Sequence, residues 1–263
     1  MSHALSPANG STDRFGYEWQ KYNEMLPIYE EQFLRWTCLL PKSEWQNKSF
    51  LDVGCGMGRN SFWPLKYGAK SCVAVDVDER SLASAQTTLA PFSQTSEVKK
   101  CSAYDMTFKD QFDIAFSIGV IHHLEHPHVA LSKMAEAVKP GGKVVIWVYG
   151  NQNVNMLIQF LNPLRKILFS RLPVEMTHIL SWCPTALLWL FLRMGLGRIE
   201  YFKLLRKFTF PHLRSIVFDQ MLPTIAHYWT KEEVFSLMTV VGLKNVRIQE
   251  VNQISWCAVG QKF

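Results

Sequence analysis

The chain has 263 residues, 48% of them apolar and 19% charged, with a formal net charge of +6. That composition suits one large domain, or a core domain with an inserted cap, and excludes a disordered or repetitive chain. Six cysteines (Cys38, Cys55, Cys72, Cys101, Cys183, Cys257) stand far apart with no CxxC pair, which argues against a disulfide framework or a zinc site.

The first sixteen residues are small and polar, with no apolar run. They predict a loose tail and not a signal peptide, and hence a cytoplasmic protein. Phe15, Tyr17, Trp19 and Tyr22 then make an aromatic stretch that folds over a ligand site or is plain core. From residue 50, short apolar runs alternate with helical stretches. Ser49–Val53 predicts a strand ending in glycines, Arg59–Tyr67 a helix, Ser71–Val75 a strand and Arg80–Leu89 a helix. Glu97–Cys101 and Phe112–Ile118 follow as strands. Pro127–Val138 reads as a helix stopped by Pro140-Gly141-Gly142, and Lys143–Val148 as the next strand.

After Gly150 the rhythm breaks. Residues 151–222 hold helical segments rich in Leu, Phe and Trp, punctuated by Pro163, Pro173, Pro184 and Pro211. The alternation resumes with a helix at Lys231–Val241 and strands near Asn245–Gln249 and Ser255–Val259. The expected fold is therefore α/β: a Rossmann-like, seven-stranded, mostly parallel sheet with helices on both faces and an inserted α-helical cap. Residues 41–150 and 223–263 would form the core, 151–222 the cap, and 1–40 an aromatic helical segment over the site.

Asp52-Val53-Gly54-Cys55-Gly56-Met57-Gly58 joins the first strand to the first helix. Glycines let the backbone turn sharply and approach a ligand, and the helix N-terminus offers free N–H groups to an anion. Asp76 ends the next strand 20 residues after Gly56, where a ribose diol needs an acceptor. Either feature alone is as well explained by a tight turn or a helix cap. A dehydrogenase shares the fold and the acid but calls for GxGxxG, and leaves Pro140-Gly141-Gly142 and the His122-His123 pair unexplained.

LDVGCGMGR, VAVDVDERSL, FDIAFSIGVIHHL and VKPGGKVVIWVYG together resemble the successive motifs of class I S-adenosylmethionine-dependent methyltransferases, over about residues 15–150 and more loosely over 231–260. The resemblance implies S-adenosylmethionine as cofactor. It implies Asp52, Gly54, Cys55 and Gly56 at the methionine portion, Asp76 at the ribose and Val77 against the adenine. Ser102-Ala103 stands where the family often has Asp-Ala, so the adenine loses its usual acid unless Asp105 substitutes. Ser117 and Ile118 would offer backbone to the cofactor's amino group.

Methyl transfer to a hydroxyl or a protonated amine needs a base. His122 and His123 leave the fourth strand at the ligand edge of the sheet, and one of them, His123 in preference, is expected to face the site; either is also a plain packing residue. With His126 and His128 they match no metal-ligand spacing, and no metal is expected. Asp219, His227, Tyr228 and Trp256, with Tyr17, Trp19 and Tyr22, are candidates for the acceptor pocket, or else caps and core.

Residues 160–215 carry nine Lys/Arg against two acids, and Met176–Leu192 has no charge but is too short to span a bilayer. Leu157, Leu161, Leu164 and Leu168 recur at helical spacing. A self-packed helical cap with a solvated basic face explains this pattern. So does a lid over a small lipophilic or anionic acceptor, with peripheral contact to the inner membrane face through 153–215 or an oligomer contact through the cap. The expected activity is O-methylation of an acyl carboxylate or of a phenol or quinone hydroxyl. A nucleic-acid methyltransferase, disfavoured because the cations are interleaved with Leu, Phe and Trp, and a non-catalytic cofactor-binding protein are the alternatives.

Overall fold

A computed structural model describes residues 7–153, 162–165 and 167–263. Seven strands form one sheet in the order β3-β2-β1-β4-β5-β7-β6. They are β1 Ser49–Val53, β2 Ser71–Asp76, β3 Ser96–Lys100, β4 Phe112–Ile118, β5 Val138–Tyr149, β6 Lys244–Val251 and β7 Ser255–Gln261. The first five run parallel, and β7 lies antiparallel between β5 and β6. The helices of the core are α1 Pro7–Lys21, α2 Ile28–Trp36, α3 Arg59–Lys66, α4 Glu79–Leu89 and α5 Pro127–Ala137. Four more, α6 Val174–Leu180, α7 Trp182–Arg193, α8 Glu200–Leu205 and α9 Phe210–Met221, precede α10 Lys231–Val240.

Strand periodicity sorts the apolar runs onto two faces. Phe50, Ile114, Phe116, Ile118 and Val145 pack with Phe33, Trp36, Trp45 and Leu82 on one side. Leu51, Val53, Ala115, Val144, Ile146 and Val148 pack with Leu131, Met134, Val234 and Met238 on the other. A sheet buried on both faces leaves only its strand ends for chemistry. Polar caps set the helix starts there. Asp78 accepts the N–H groups of Arg80 and Ser81 at 2.9 and 3.1 Å, and Thr230 with Glu233 forms a reciprocal cap on α10.

Two expectations are corrected. Helix already begins at Pro7, so residues 7–16 are not a loose tail. Gly16 lets that helix lie against the start of α4, because a Cβ there would overlap the Asp78 carboxylate. The strand expected from Lys143 begins at Val138, because Pro140-Gly141-Gly142 is a bulge and not a break. Val138 pairs with Phe112, the register then shifts until Lys143 pairs with Ile114, and the Gly141 N–H donates to the Lys262 carbonyl at 2.8 Å.

The chain leaves the sheet after β5 and returns beside it, Gly150 and Trp229 forming a parallel bridge. Between them α7 to α9 enclose a small core of Leu192, Leu204, Leu205, Phe208 and Leu213. Leu157, Leu161 and Lys166 lie outside the described residues; Leu164 is half-buried and Leu168 exposed. Among the described residues no helix is long and apolar enough to cross a membrane.

Candidate active site

At the carboxyl ends of β1 and β2 the chain makes the glycine turn. Gly54, Gly56 and Gly58 all have positive φ (75°, 54° and 80°), and the N–H groups of Gly54 and Cys55 donate to the Val75 carbonyl at 2.8 and 2.9 Å. A Cβ on Gly56 would stand 2.9 Å from the Trp19 indole, which α1 lays across the turn. Asp76 ends β2, and its carboxylate accepts from the N–H groups of Gly56 (2.9 Å), Val77 (2.8 Å) and Asp78 (3.1 Å). Burial pushes the Asp76 carboxyl up while those three donors pull it down, with a net rise. Val77 beside it is 39% exposed, an apolar surface left open at the site.

These residues wall one part of a cavity of about 1110 Å³, which also takes in Ser102, Ala103, Ile118 and Gly119. Cavities that hold one small molecule are typically ~300–1,000 Å³, so this one accommodates a nucleoside-sized ligand and a second molecule. Its remaining wall comes from α1, the end of β5, α8 and α9, and mixes Phe202, Leu204 and Ile216 with a polar cluster. Within that cluster the Gln220 Nε2 donates to the Tyr149 hydroxyl at 2.7 Å and to the Asp219 carboxylate at 3.3 Å. Glu18, 2% exposed, lies beside Asp219 in the wall, and burial together with that neighbouring carboxyl drives the Glu18 carboxyl far up. Burial lifts Asp219 to about 6, with Arg59, Gln220 and Tyr149 holding it down. The Arg59 guanidinium sits 4.9 Å from the ring centres of Trp19 and Tyr29 and 5.3 Å from that of Trp36.

His123 lines the cavity. Its Nδ1 lies 2.8 Å from the Ile225 carbonyl, which can only accept, so Nδ1 carries the proton and Nε2 keeps a lone pair. Burial lowers its pKa to about 4, leaving the ring neutral at pH 7. His122 does not reach the cavity. It is fully buried against Tyr149 (ring centroids 3.8 Å apart), neither ring nitrogen has a partner, and burial holds it neutral.

The other candidates divide in the same way. Gly54, Cys55, Gly56, Asp76, Val77, Ser102, Ala103, Ile118, Trp19, Asp219 and Tyr228 line the cavity. Asp52 and Ser117 do not. Asp52 is buried beneath the turn and accepts the Ser61 hydroxyl at 2.7 Å, and burial raises its pKa to about 7. Ser117, whose expected contact is through its backbone, is fully buried behind the wall, with its hydroxyl donating to the Val53 carbonyl at 2.8 Å. Of the aromatic and imidazole candidates outside the wall, Tyr22 bonds His178 at 2.9 Å, Tyr17 packs edge-on to Phe218, His227 stacks on Trp229, and Trp256 donates to the Trp229 carbonyl. Glu18, Arg59 and Tyr149 were not expected, whereas Gln220 belongs to the segment 218–223 that the sequence offers for the acceptor pocket. Arg59 at the start of α3 adjoins the expected glycine turn, but nothing local marks Glu18 or Tyr149. Among the described residues no group of three or more His, Cys, Asp or Glu is placed to hold a metal.

A parallel sheet with a glycine turn after β1, an acid closing β2 and an antiparallel β7 between β5 and β6 is a nucleoside-cofactor domain of the Rossmann-like kind. Residues 51–146 match a family model described as a methyltransferase domain. Over that stretch the chain is similar to the S-adenosylmethionine-dependent methyltransferases, whose cofactor suits the cradle of Gly54, Gly56, Asp76 and Val77. A ubiquinone biosynthesis O-methyltransferase from Pseudomonas syringae pv. tomato is 28% identical over 128 residues, 48% of this chain and 55% of that protein. A tRNA U34 carboxymethyltransferase from Vibrio parahaemolyticus is 30% identical over 115 residues, 43% of this chain and 36% of that one. The chain thus spans about half the length, or less, of the curated relatives it matches. Among solved structures, a methyltransferase from Thermotoga maritima described as a possible histamine N-methyltransferase superposes with a TM-score of 0.59 at 16% identity, covering 96% of this chain and all of that one. At that identity the likeness is one of fold.

Proposed function

We propose that this protein methylates an oxygen, that of a hydroxyl group, on a small lipophilic acceptor. The observation that carries the reading is the polar cluster of Asp219, Glu18, Gln220, Tyr149 and His123 in the same cavity as the glycine cradle, set among apolar residues of the cap. S-adenosylmethionine, when bound, supplies a methyl group on a positively charged sulfur, open to direct displacement. Gly54, Gly56 and the N-terminus of α3 would hold its methionine portion, Asp76 its ribose and Val77 its adenine.

The chain's own part is to orient a hydroxyl and take its proton. Burial raises both carboxyls of the Glu18–Asp219 pair, so at neutral pH the two share one proton, and it falls to Glu18 because the Gln220 and Tyr149 donors serve the Asp219 carboxylate. Asp219 is then the ionised partner, steadied by Arg59 and Gln220, and its level of about 6 suits a base working near pH 7. His123, neutral and with its tautomer fixed by Ile225, offers the Nε2 lone pair to orient the acceptor. The single negative charge of the carboxyl pair, on Asp219, repels an acyl carboxylate, which favours a phenol or quinol hydroxyl as the oxygen acceptor. The similarity to a ubiquinone biosynthesis O-methyltransferase supports the same choice.

The test is methyl transfer from labelled cofactor to an alkylphenol, a fatty acid, an aliphatic amine and tRNA in parallel. The alkylphenol is expected to be methylated, with Asp219→Asn lowering kcat roughly 100-fold or more. Preference for the fatty acid, the amine or tRNA, or full activity in Asp219→Asn, would overturn the reading.

A further inference from the structure

We infer that the outer face of α6 and α7 is a docking surface for an anionic lipid bilayer. Of the fourteen large apolar side chains exposed among the described residues, ten fall between Ile167 and Leu196. They are not scattered. Cys183, Leu187 and Leu190 of α7, with Met194 at its C-terminal cap, recur at helical spacing, all exposed, with both Leu187 and Met194 at 65%. The opposite side of the same helix carries Thr185 and Leu192, which are buried against the cap. α7 is therefore a surface helix whose solvent side is as apolar as its core side, and Ile179 of α6 (65% exposed) extends the patch. Monomeric proteins rarely leave such a patch without an occupant.

Charge decides which occupant. Between residues 167 and 199 the exposed ions are Arg171, Arg193 and Arg198, against the single acid Glu175. A second copy docked through a two-fold axis would set this cationic patch against itself, with too few acids to compensate. A nucleic acid would satisfy the arginines but would leave the leucine stripe facing phosphate. An anionic bilayer satisfies both: acyl chains receive the stripe while headgroups meet the arginines around it. Trp182, 53% exposed at the start of α7, is the residue type that settles at a membrane–water boundary. α8, which follows directly, supplies Phe202 and Leu204 to the cavity wall, so the docked cap would stand between the bilayer and the site. That last relation rests on the proposed acceptor; the docking itself does not.

The experiment uses the full chain with Cys38→Ser, so that Cys183 is the one exposed cysteine among the described residues, labelled there with a polarity-sensitive fluorophore. It is mixed with vesicles of phosphatidylcholine alone, or of phosphatidylcholine and phosphatidylglycerol in equal parts, and followed by emission and cosedimentation. Binding with a blue shift on the anionic vesicles only is expected. Each arginine near such a surface contributes about fivefold, so Arg171→Gln with Arg193→Gln and Arg198→Gln should weaken binding on the order of 100-fold. Leu187→Ser with Leu190→Ser should abolish the vesicle-dependent binding of an otherwise equally labelled chain. All five positions are exposed, and unchanged melting temperatures verify that the variants fold. Equal binding to both vesicle types, no binding, an unshifted label on sedimented protein, a dimer that the serine pair dissolves, or tighter binding to tRNA than to anionic vesicles would each overturn the proposal. None of these readouts involves methyl transfer, so a wrong acceptor and a wrong docking surface fail separately.

Discussion

Replacing Asp76 with asparagine tests the cofactor cradle at its most constrained point. The two carboxylate oxygens receive three backbone donors, Gly56 on one and Val77 with Asp78 on the other. An amide of the same shape can offer its oxygen to only one of those sides. If the oxygen keeps Val77 and Asp78, the new NH2 faces the Gly56 N–H, and a donor of the turn loses its acceptor. A ribose diol at the same place exchanges a charged acceptor for a neutral one. A hydrogen bond to a charged group contributes about 1.5–3 kcal/mol, so affinity for S-adenosylhomocysteine should fall roughly 10- to 150-fold. Calorimetric titration of wild type and Asp76→Asn, with NAD as a control ligand, measures this directly. An asparagine variant that folds and binds within about threefold of wild type would refute the role given to Asp76. Binding of NAD by the wild type would refute the cofactor itself.

Gly56→Ala should impair binding for a different reason. An alanine at a φ of 54° costs about 1–2 kcal/mol, and its methyl meets the Trp19 indole, so affinity and melting temperature should fall together. A binding loss that Trp19→Ala does not partly relieve would contradict that contact. Asp52 gives a pH-dependent stability. Its folded pKa of about 7 exceeds the ordinary carboxylate value, so the folded chain keeps a proton that the unfolded chain has lost. Stability therefore falls as pH rises from about 4 to 7, by an amount on the order of 4 kcal/mol. Asp52→Asn should raise the melting temperature above pH 7 and lose that advantage toward pH 4; a gain that is flat in pH would count against the argument. The pH profile of kcat should rise through about pH 6 and level off above it, the limb vanishing in Asp219→Asn. A limb near pH 4, removed by His123→Ala, would transfer the base to His123.

The glycine turn and Asp76 were legible because their chemistry is local. A backbone that must turn sharply, and an acid one strand later, leave their mark within thirty residues of chain. The residues that complete the site carry no such mark. Glu18 becomes an acid of the cavity only because α1 packs beside α9, two hundred residues away, and sets it against Asp219. Tyr149 is the last residue of a strand whose Val144, Val145, Ile146 and Val148 are core, and only Gln220 and Asp219 give its hydroxyl a task. Tyr17 and Tyr22 have the residue type of a ligand lid, but their partners are Phe218 and His178, both outside the cavity wall. α7 shows the opposite limit. An uncharged helix has the same pattern whether its outer side is buried or bare, and three-dimensional placement alone shows that Leu187 and Leu190 face outward.

Helix α1 brings two parts of the site onto one rigid body. Trp19 lies across the glycine turn, and Glu18, one residue earlier, completes the carboxyl pair with Asp219. The helix is fastened at its middle, where Asp13 meets Arg80 at 2.7 Å, and at Trp19, whose carbonyl accepts the Ser84 hydroxyl at 3.1 Å. Any swing of α1 wide enough to release a spent cofactor also pulls Glu18 away from Asp219. On the proposed function, one motion of α1 would therefore open and close the cofactor berth and the carboxyl pair together.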